Sequence, residues 1–305
     1  MDSTLTADWR SRLHLTLARH GMALLARLPL AGNHVLGSLL GEIAWLSRSR
    51  LRRVSEINLD LCRPTASAEE RRELVRRSLR ETGKTLTETA WLWHRPRDYI
   101  AGHLVEVHGA ELLDAATARG QGLVIATPHI GSWELCNLAI STHATITYLY
   151  RPPRTLALEP LLIDWRRNLG GKPARLDSGG IRQVLGELRA GRTVGILPDQ
   201  EPDATSGVFA PFFGIPALTM TLLARLASRP GTTVLFLVAE RLPRGRGWRA
   251  HFVAPEPGIS NADKVEAAAA INRTAERCIE LCPTQYLWSY KRFRAMPGGE
   301  RRSYR

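Results

Sequence analysis

The chain is poor in the features that mark several large protein classes. Its 305 residues hold four cysteines, Cys62, Cys136, Cys278 and Cys282, and no CxxC pair. That leaves out a disulfide framework and argues against a thiolate metal site. Cys278 and Cys282 sit four apart on one face of an expected helix, where packing explains them. No GxSxG segment is present, which leaves out the nucleophile elbow of serine hydrolases. No stretch matches an RNP pattern or a recognition helix, so nucleic acid is not an expected partner. Near the N-terminus the longest run free of Asp, Glu, Lys and Arg, Leu28 to Gly41, is 14 residues. A spanning helix needs about 20. No small-residue cleavage site of a secretory leader follows the early arginines.

Acidic residues are also in deficit. Against 42 Lys+Arg stand 29 Asp+Glu, a formal charge of +13, and arginine supplies most of the excess. Such a surface seeks phosphates: anionic lipid headgroups, an acidic carrier protein, or nucleic acid. Charge alone would suit a non-catalytic protein that binds an anionic surface or nucleic acid equally well.

What is present reads as alternating elements. Residues 21–46, GMALLARLPLAGNHVLGSLLGEIAWL, are apolar but interrupted by Arg27, His34 and Glu42. They fit a helix lying in a membrane interface, or a helical hairpin dipping into it, with SRSRLRR (47–53) as a basic cluster for anionic lipid. A buried amphipathic helix with a solvated basic end is the plain alternative. Ser67 and Glu70 form a capping box that opens a helix reaching about Trp93. Beyond it, LVEVHG (104–109), GLVIATP (122–128), ITYLY (146–150), TVGILPDQ (193–200), TTVLFLVAE (232–240) and WRAHFVAPEP (248–257) read as strands. Helical patterns lie between them, with LTMTLLARLAS (218–228) read as one of these and 207–216 as a loop. The continuous apolar runs at 122–128 and 193–196 suit strands buried on both faces. The expected fold is α/β: a layered mixed, partly parallel sheet flanked by helices, with an N-terminal membrane-associating helical segment. The expected divisions are 1–65 for that segment, 66–295 for the α/β domain, and 296–305 for a flexible basic tail.

Chemistry gathers where strands end. In ATPHIGSWEL (126–135), His129 follows an apolar strand and Glu134 follows five residues later. With Gly131 allowing a bend, Glu134 is expected to accept from one imidazole nitrogen while the other faces a cleft as a general base. Asp199 ends the strand of LPDQ, where it could hold an arginine or a hydroxyl near the histidine, or simply cap a turn. Cys136 is mid-helix in apolar surroundings and reads as core.

ATPHIGSWEL resembles the HxxxxD/E block of glycerolipid-type acyltransferases, in the form found in the bacterial lipid A lauroyl/myristoyl acyltransferase family. NLDLCRP (58–64), YRPPR (150–154), GILPDQEPDATSGVFAPFFGIPALTMTLLARLA (195–227) and YLWSYKRFR (286–294) resemble other blocks of that family. The last has Tyr290 where histidine is usual. The likeness covers about residues 20–295. It implies transfer of a fatty acyl group from acyl carrier protein to a hydroxyl of a lipid A precursor, at the cytoplasmic face of the inner membrane. It implies His129 and Glu134 as the catalytic pair, working without a metal or cofactor, with Arg151, Arg154, Arg166 and Asp199 toward the substrate's phosphates and hydroxyls. Phe209, Phe212 and Phe213 would line the acyl channel. A different glycolipid, such as a phosphatidylinositol mannoside, or a lysophospholipid would suit the same pair.

Overall fold

The computed structural model describes residue 16 and residues 20–141, 145–153 and 159–305. The apolar run Gly122–Ala126 (β2) lies at the centre of a seven-stranded sheet, buried along its whole length. Its alternate residues feed opposite layers. Val124 and Ala126 join a core with Leu59, Val75, Leu79 and Ile271, while Leu123 and Ile125 join one with Trp91, Ile100, Leu113 and Trp248. This is the period-2 geometry of a strand covered on both faces.

The other strands are Leu104–His108 (β1), Ile146–Tyr150 (β3), Gly171–Arg175 (β4), Thr193–Ile196 (β5), Thr232–Arg241 (β8) and Trp248–Val253 (β9), in the order β1-β9-β8-β2-β5-β3-β4. From β8 to β4 every neighbouring pair is parallel; β9 runs antiparallel to β8 and parallel to β1. The mixed, partly parallel sheet is thus present. β4 was not anticipated, because GKPAR has neither alternation nor an apolar run. It pairs on one side only, and Pro173 is tolerated at such an edge.

Three further readings are corrected. The stretch 207–216 is not a loop, nor is 218–220 helical: Gly207–Phe212 (β6) and Ile215–Met220 (β7) form a hairpin. Its two-residue turn, Phe213-Gly214, takes positive φ at both positions, 49° and 76°. That is the turn suited to the twist of a hairpin, although phenylalanine is an unusual occupant of its first position. The helix that follows is only Leu222–Ala227. The basic tail is docked rather than flexible: Tyr304 is buried, and its hydroxyl donates to Asn58 Oδ1 at 2.7 Å and accepts from the Phe293 N–H.

Ser67 caps the helix Ala68–His94 with the full reciprocal capping box. Against this helix lies Leu30–Leu46, which the expected boundary at residue 65 would have separated from it. Their contact is backbone on backbone. A Cβ on Gly83 would come within 2.0 Å of the Gly37 carbonyl oxygen, and one on Gly37 within 2.4 Å of Lys84 Cα. Asn33 and Thr87 exchange side-chain to carbonyl hydrogen bonds across the seam, and His34 Nε2 lies 2.8 Å from Glu88. The middle of the inward face of Leu30–Leu46 is therefore glycine and polar, with buried Leu30 and Trp45 at its two ends. Val35, Leu39, Ile43 and Leu46 point outward and are exposed, Leu46 by 74%, which leaves the helix with an uncovered apolar face. No helix among the described residues is long and apolar enough to cross a membrane. Gly83→Ala is expected to cost about 2–3 kcal/mol by overpacking this seam. Urea denaturation measures it, and an unchanged midpoint would mean that the helices can separate freely.

Candidate active site

The register of two neighbouring strands builds the site. Ala126 of β2 pairs with Ile196 of β5, and the ladder continues for one more bond, Thr127 N–H to the Ile196 carbonyl. His129 and Asp199 each stand three residues beyond those paired ends. Parallel strands therefore deliver both to the same edge of the sheet, at the carboxyl ends where α/β sites form. Asp199 is buried and uses both carboxylate oxygens on one partner. Oδ2 accepts from the His129 backbone N–H at 2.9 Å, and Oδ1 lies 2.8 Å from His129 Nδ1. Burial pushes the Asp199 carboxyl toward a higher pKa. The attraction of the His129 ring in its protonated form and these hydrogen bonds outweigh it and leave the pKa below its ordinary value. On the other side of the ring, Gln200 Nε2 is 3.0 Å from His129 Nε2. The Trp133 ring packs 5.2 Å from the imidazole.

Glu134 does not reach the histidine. Gly131, at φ 58°, donates its N–H to the Gln285 carbonyl, and Ser132 donates to the Ala239 carbonyl. The second bond pins the turn to β8 and the first to the segment at Gln285, and Trp133–Leu135 then winds as a single 3-10 turn before the helix Cys136–Ser141. Its geometry aims Glu134 at the helix Glu159–Asn168, where Arg166 grips it with two bonds, Nε to Oε2 at 3.0 Å and Nη2 to Oε1 at 2.5 Å. No hydrogen bond or ion pair joins Glu134 to His129. The expected contact is therefore corrected: the carboxylate on the imidazole belongs to Asp199, and Glu134 orients an arginine. Burial lowers the Arg166 pKa, and the Glu134 charge more than reverses that. Its guanidinium also stands 5.9 Å from the Tyr148 ring centroid.

These groups open on a cavity of about 530 Å³. His129, Glu134, Arg151, Arg166 and Gln200 line it, together with apolar side chains such as Ile146, Ile181 and Leu222. A volume of this order holds a substantial ligand, and the lining mixes apolar side chains with many polar and charged ones. Cys136 also touches the cavity, but burial pushes its thiol up to about 12, which keeps it protonated. Among the described residues, no three His, Cys, Asp or Glu side chains are grouped closely enough to hold a metal ion.

Arg154 lies outside the described residues. The three phenylalanines do not line the cavity. Phe212 is buried against Phe213, Tyr286 and Phe293, and Phe213 packs on Trp288. Phe209 faces Leu218 across the hairpin. Apolar aromatics suit a core and a channel equally, and here β6 and β7 carry them away from the strand ends. Three residues at the cavity were missed. Gln200 follows the aspartate directly. Tyr148 has a buried hydroxyl with no partner among the described residues. Arg225, exposed at the wall, comes from the short helix after β7. Only Gln200 had a signal, its place beside Asp199.

The sequence pattern of the family described as "Bacterial lipid A biosynthesis acyltransferase" matches residues 9–295. The chain belongs to that family. It is 30% identical over 280 residues to the lipid A biosynthesis lauroyltransferase of Escherichia coli K12, covering 90% of each chain. It is also 30% identical to the lipid A biosynthesis palmitoleoyltransferase of the same organism, over 88% of this chain and 87% of that one. A phosphatidylinositol mannoside acyltransferase of Mycobacterium tuberculosis is 35% identical over 147 residues, 47% of this chain and 45% of the relative. The protein is an acyltransferase. The segment YLWSYKRFR gains a clear structural role in this enzyme. Tyr290 OH accepts from the Glu201 N–H, and Arg294 and the Ala295 N–H hold the Glu201 carboxylate. Buried Arg292 donates to the Leu218 carbonyl and Thr219 Oγ1. The segment thus buckles the loop carrying Asp199 and Gln200.

Proposed function

We propose that the enzyme moves a fatty acyl group from an acyl carrier protein thioester to a hydroxyl of a lipid A precursor. The observation that carries this reading is the imidazole clamped at Nδ1 by a buried carboxylate while Nε2 faces a cavity lined by both apolar and charged side chains. An Nδ1–H donated to Asp199 leaves a lone pair at Nε2. The acceptor's O–H proton passes to Nε2 as its oxygen attacks the thioester carbonyl. The carbon–sulfur bond then breaks, and the departing thiolate takes the proton back from the imidazolium. Asp199 stabilises that imidazolium, and no covalent enzyme intermediate is required. Arg166, held in place by Glu134, and Arg151 supply the planar, charged forks that suit a phosphorylated acceptor.

An assay of purified enzyme with carrier-protein thioesters of several chain lengths, coenzyme A thioesters in parallel, and a lipid A precursor tests the reading by mass spectrometry. A mass gain of one acyl chain on the precursor is expected. The partial match to a phosphatidylinositol mannoside acyltransferase makes that glycolipid the second acceptor to try. Acylation of it alone would move the substrate assignment there.

The site of action we propose is the cytoplasmic face of the inner membrane, reached through the outward apolar face of Leu30–Leu46. Exposed Arg48, Arg50 and Arg53 follow that face directly, a pairing suited to an anionic bilayer. Replacing Val35, Leu39 and Ile43 together with aspartate is expected to abolish flotation with vesicles containing anionic lipid, while leaving the unfolding midpoint close to that of the parent. Undiminished flotation would place the membrane contact elsewhere.

A further inference from the structure

The contact between Gln200 and His129 has a direction that Asp199 dictates. A carboxylate accepts on both oxygens. Asp199 spends them on the His129 backbone N–H and on Nδ1, so the neutral ring carries its proton at Nδ1 and a lone pair at Nε2. The Gln200 amide, 3.0 Å from Nε2, therefore donates to that lone pair. This is the nitrogen that must take the acceptor's proton. In the ligand-free enzyme the base is already occupied, by the residue next to the one that orients it.

The surroundings leave Gln200 one way to move. Its neighbours are anchored: Asp199 by the histidine, and Glu201 by Tyr290, Arg294 and Ala295. The Gln200 side chain itself is half-buried and lines the cavity, and its Oε1 has no hydrogen-bond partner among the described residues. The backbone is fixed while the side chain is held at its tip by one hydrogen bond between neutral groups, the weaker kind.

We infer that Gln200 is a removable cap on the base, which keeps water from the imidazole until the acceptor's hydroxyl displaces the amide. The inference rests on the acyl-transfer reading above. A thioester beside an uncapped imidazole is exposed to hydrolysis. Water would give its proton to Nε2 while its oxygen attacks the carbonyl. The carbon–sulfur bond breaks, the thiolate recovers the proton from the imidazolium, and the products are a free fatty acid and the carrier thiol. A glycolipid hydroxyl arrives with the binding energy of its headgroup and chains behind it and can push the amide aside; a lone water brings none. Gln200 is on this account a positioning residue that sets the ratio of transfer to hydrolysis.

Gln200→Leu removes the donor and keeps an uncharged side chain, and Gln200→Met keeps the length without the N–H and without adding a charge. Hydrolysis of an acyl carrier protein thioester without acceptor, divided by transfer with acceptor present, is expected to rise about tenfold in Gln200→Leu. A ratio equal to that of the parent overturns the inference, whether the two rates fall together or not at all. A second measurement needs no substrate. The ¹⁵N resonance of His129 Nε2 in the ligand-free protein is expected to move in Gln200→Leu toward that of an unbonded ring nitrogen. An unmoved resonance overturns the cap on its own. If Gln200→Leu does not fold, the same ratio and the same resonance are read in Gln200→Met. Should the parent acylate neither acceptor, the acyl-transfer reading fails, and the resonance still decides whether the cap exists.

Discussion

Asp199→Asn is expected to lower acyl transfer by about 10³-fold or more, with a circular dichroism spectrum like that of the parent. The reason is a count of acceptors. Asp199 serves two N–H groups, the His129 backbone at 2.9 Å and Nδ1 at 2.8 Å, one with each oxygen. Asparagine has a single carbonyl oxygen and an NH₂ in place of the other. If its oxygen stays on the backbone, the NH₂ meets Nδ1 and the ring must carry its proton at Nε2. The cavity then faces a donor that cannot accept a proton. If its oxygen stays on Nδ1, the NH₂ opposes the backbone N–H in a buried setting, which shifts the turn that carries the histidine. In either arrangement the imidazolium of the proposed transfer loses a facing negative charge. Near-normal turnover by Asp199→Asn would mean that another group orients the ring, and the base would have to be sought again.

His129→Ala is expected to reduce transfer by about 10⁴-fold, leaving only what binding and alignment of the two substrates contribute. Donor binding should survive, since the apolar wall of the cavity comes from Ile146, Ile181, Leu222 and their neighbours rather than from the ring. The measurement is the single-turnover rate at saturating acyl carrier protein thioester, with the dissociation constant determined separately. Wild-type transfer in this variant would remove the imidazole from the mechanism altogether. A rate loss explained wholly by weaker donor binding would assign His129 to recognition rather than to proton transfer.

Much of this site could be read from the chain alone. The apolar runs before His129 and Asp199 mark strands buried on both faces, and both residues visibly stand just past a strand end. What the chain does not carry is that β2 and β5 are neighbours in the sheet. Strand order follows from packing among distant helices and strands, and only the register Ala126 to Ile196 makes the two side chains adjacent. Glu134, close in sequence, suggested itself as the partner, but spacing along a chain is not proximity once the chain turns through Gly131 and a 3-10 segment. The hairpin at 207–220 was hidden for a local reason. Its turn is Phe-Gly instead of Asn-Gly, and Pro211 and Pro216 face each other across it, residues that ordinarily argue against strands. The outward apolar face of Leu30–Leu46 was ambiguous because glycine at 37 and 41 is silent about which side is covered until Gly83 is seen opposite.

The clasp around Asn58 also bears on when the enzyme becomes active during its synthesis. Asn58 donates to the carbonyls of Trp288 and Tyr290 and accepts from Tyr304, a partner 246 positions later. Tyr290 in turn braces the backbone next to Gln200. A chain emerging from the ribosome offers its N-terminal parts first, and contacts of such long separation close last. Helices 50–62 and 68–94 can form on the nascent chain well before the loop at 199–201 has its supports. A ribosome-bound intermediate can thus bury much of its apolar surface while still lacking a fixed imidazole, so competence for acyl transfer waits for the contacts that Trp288, Tyr290 and Tyr304 make with Asn58.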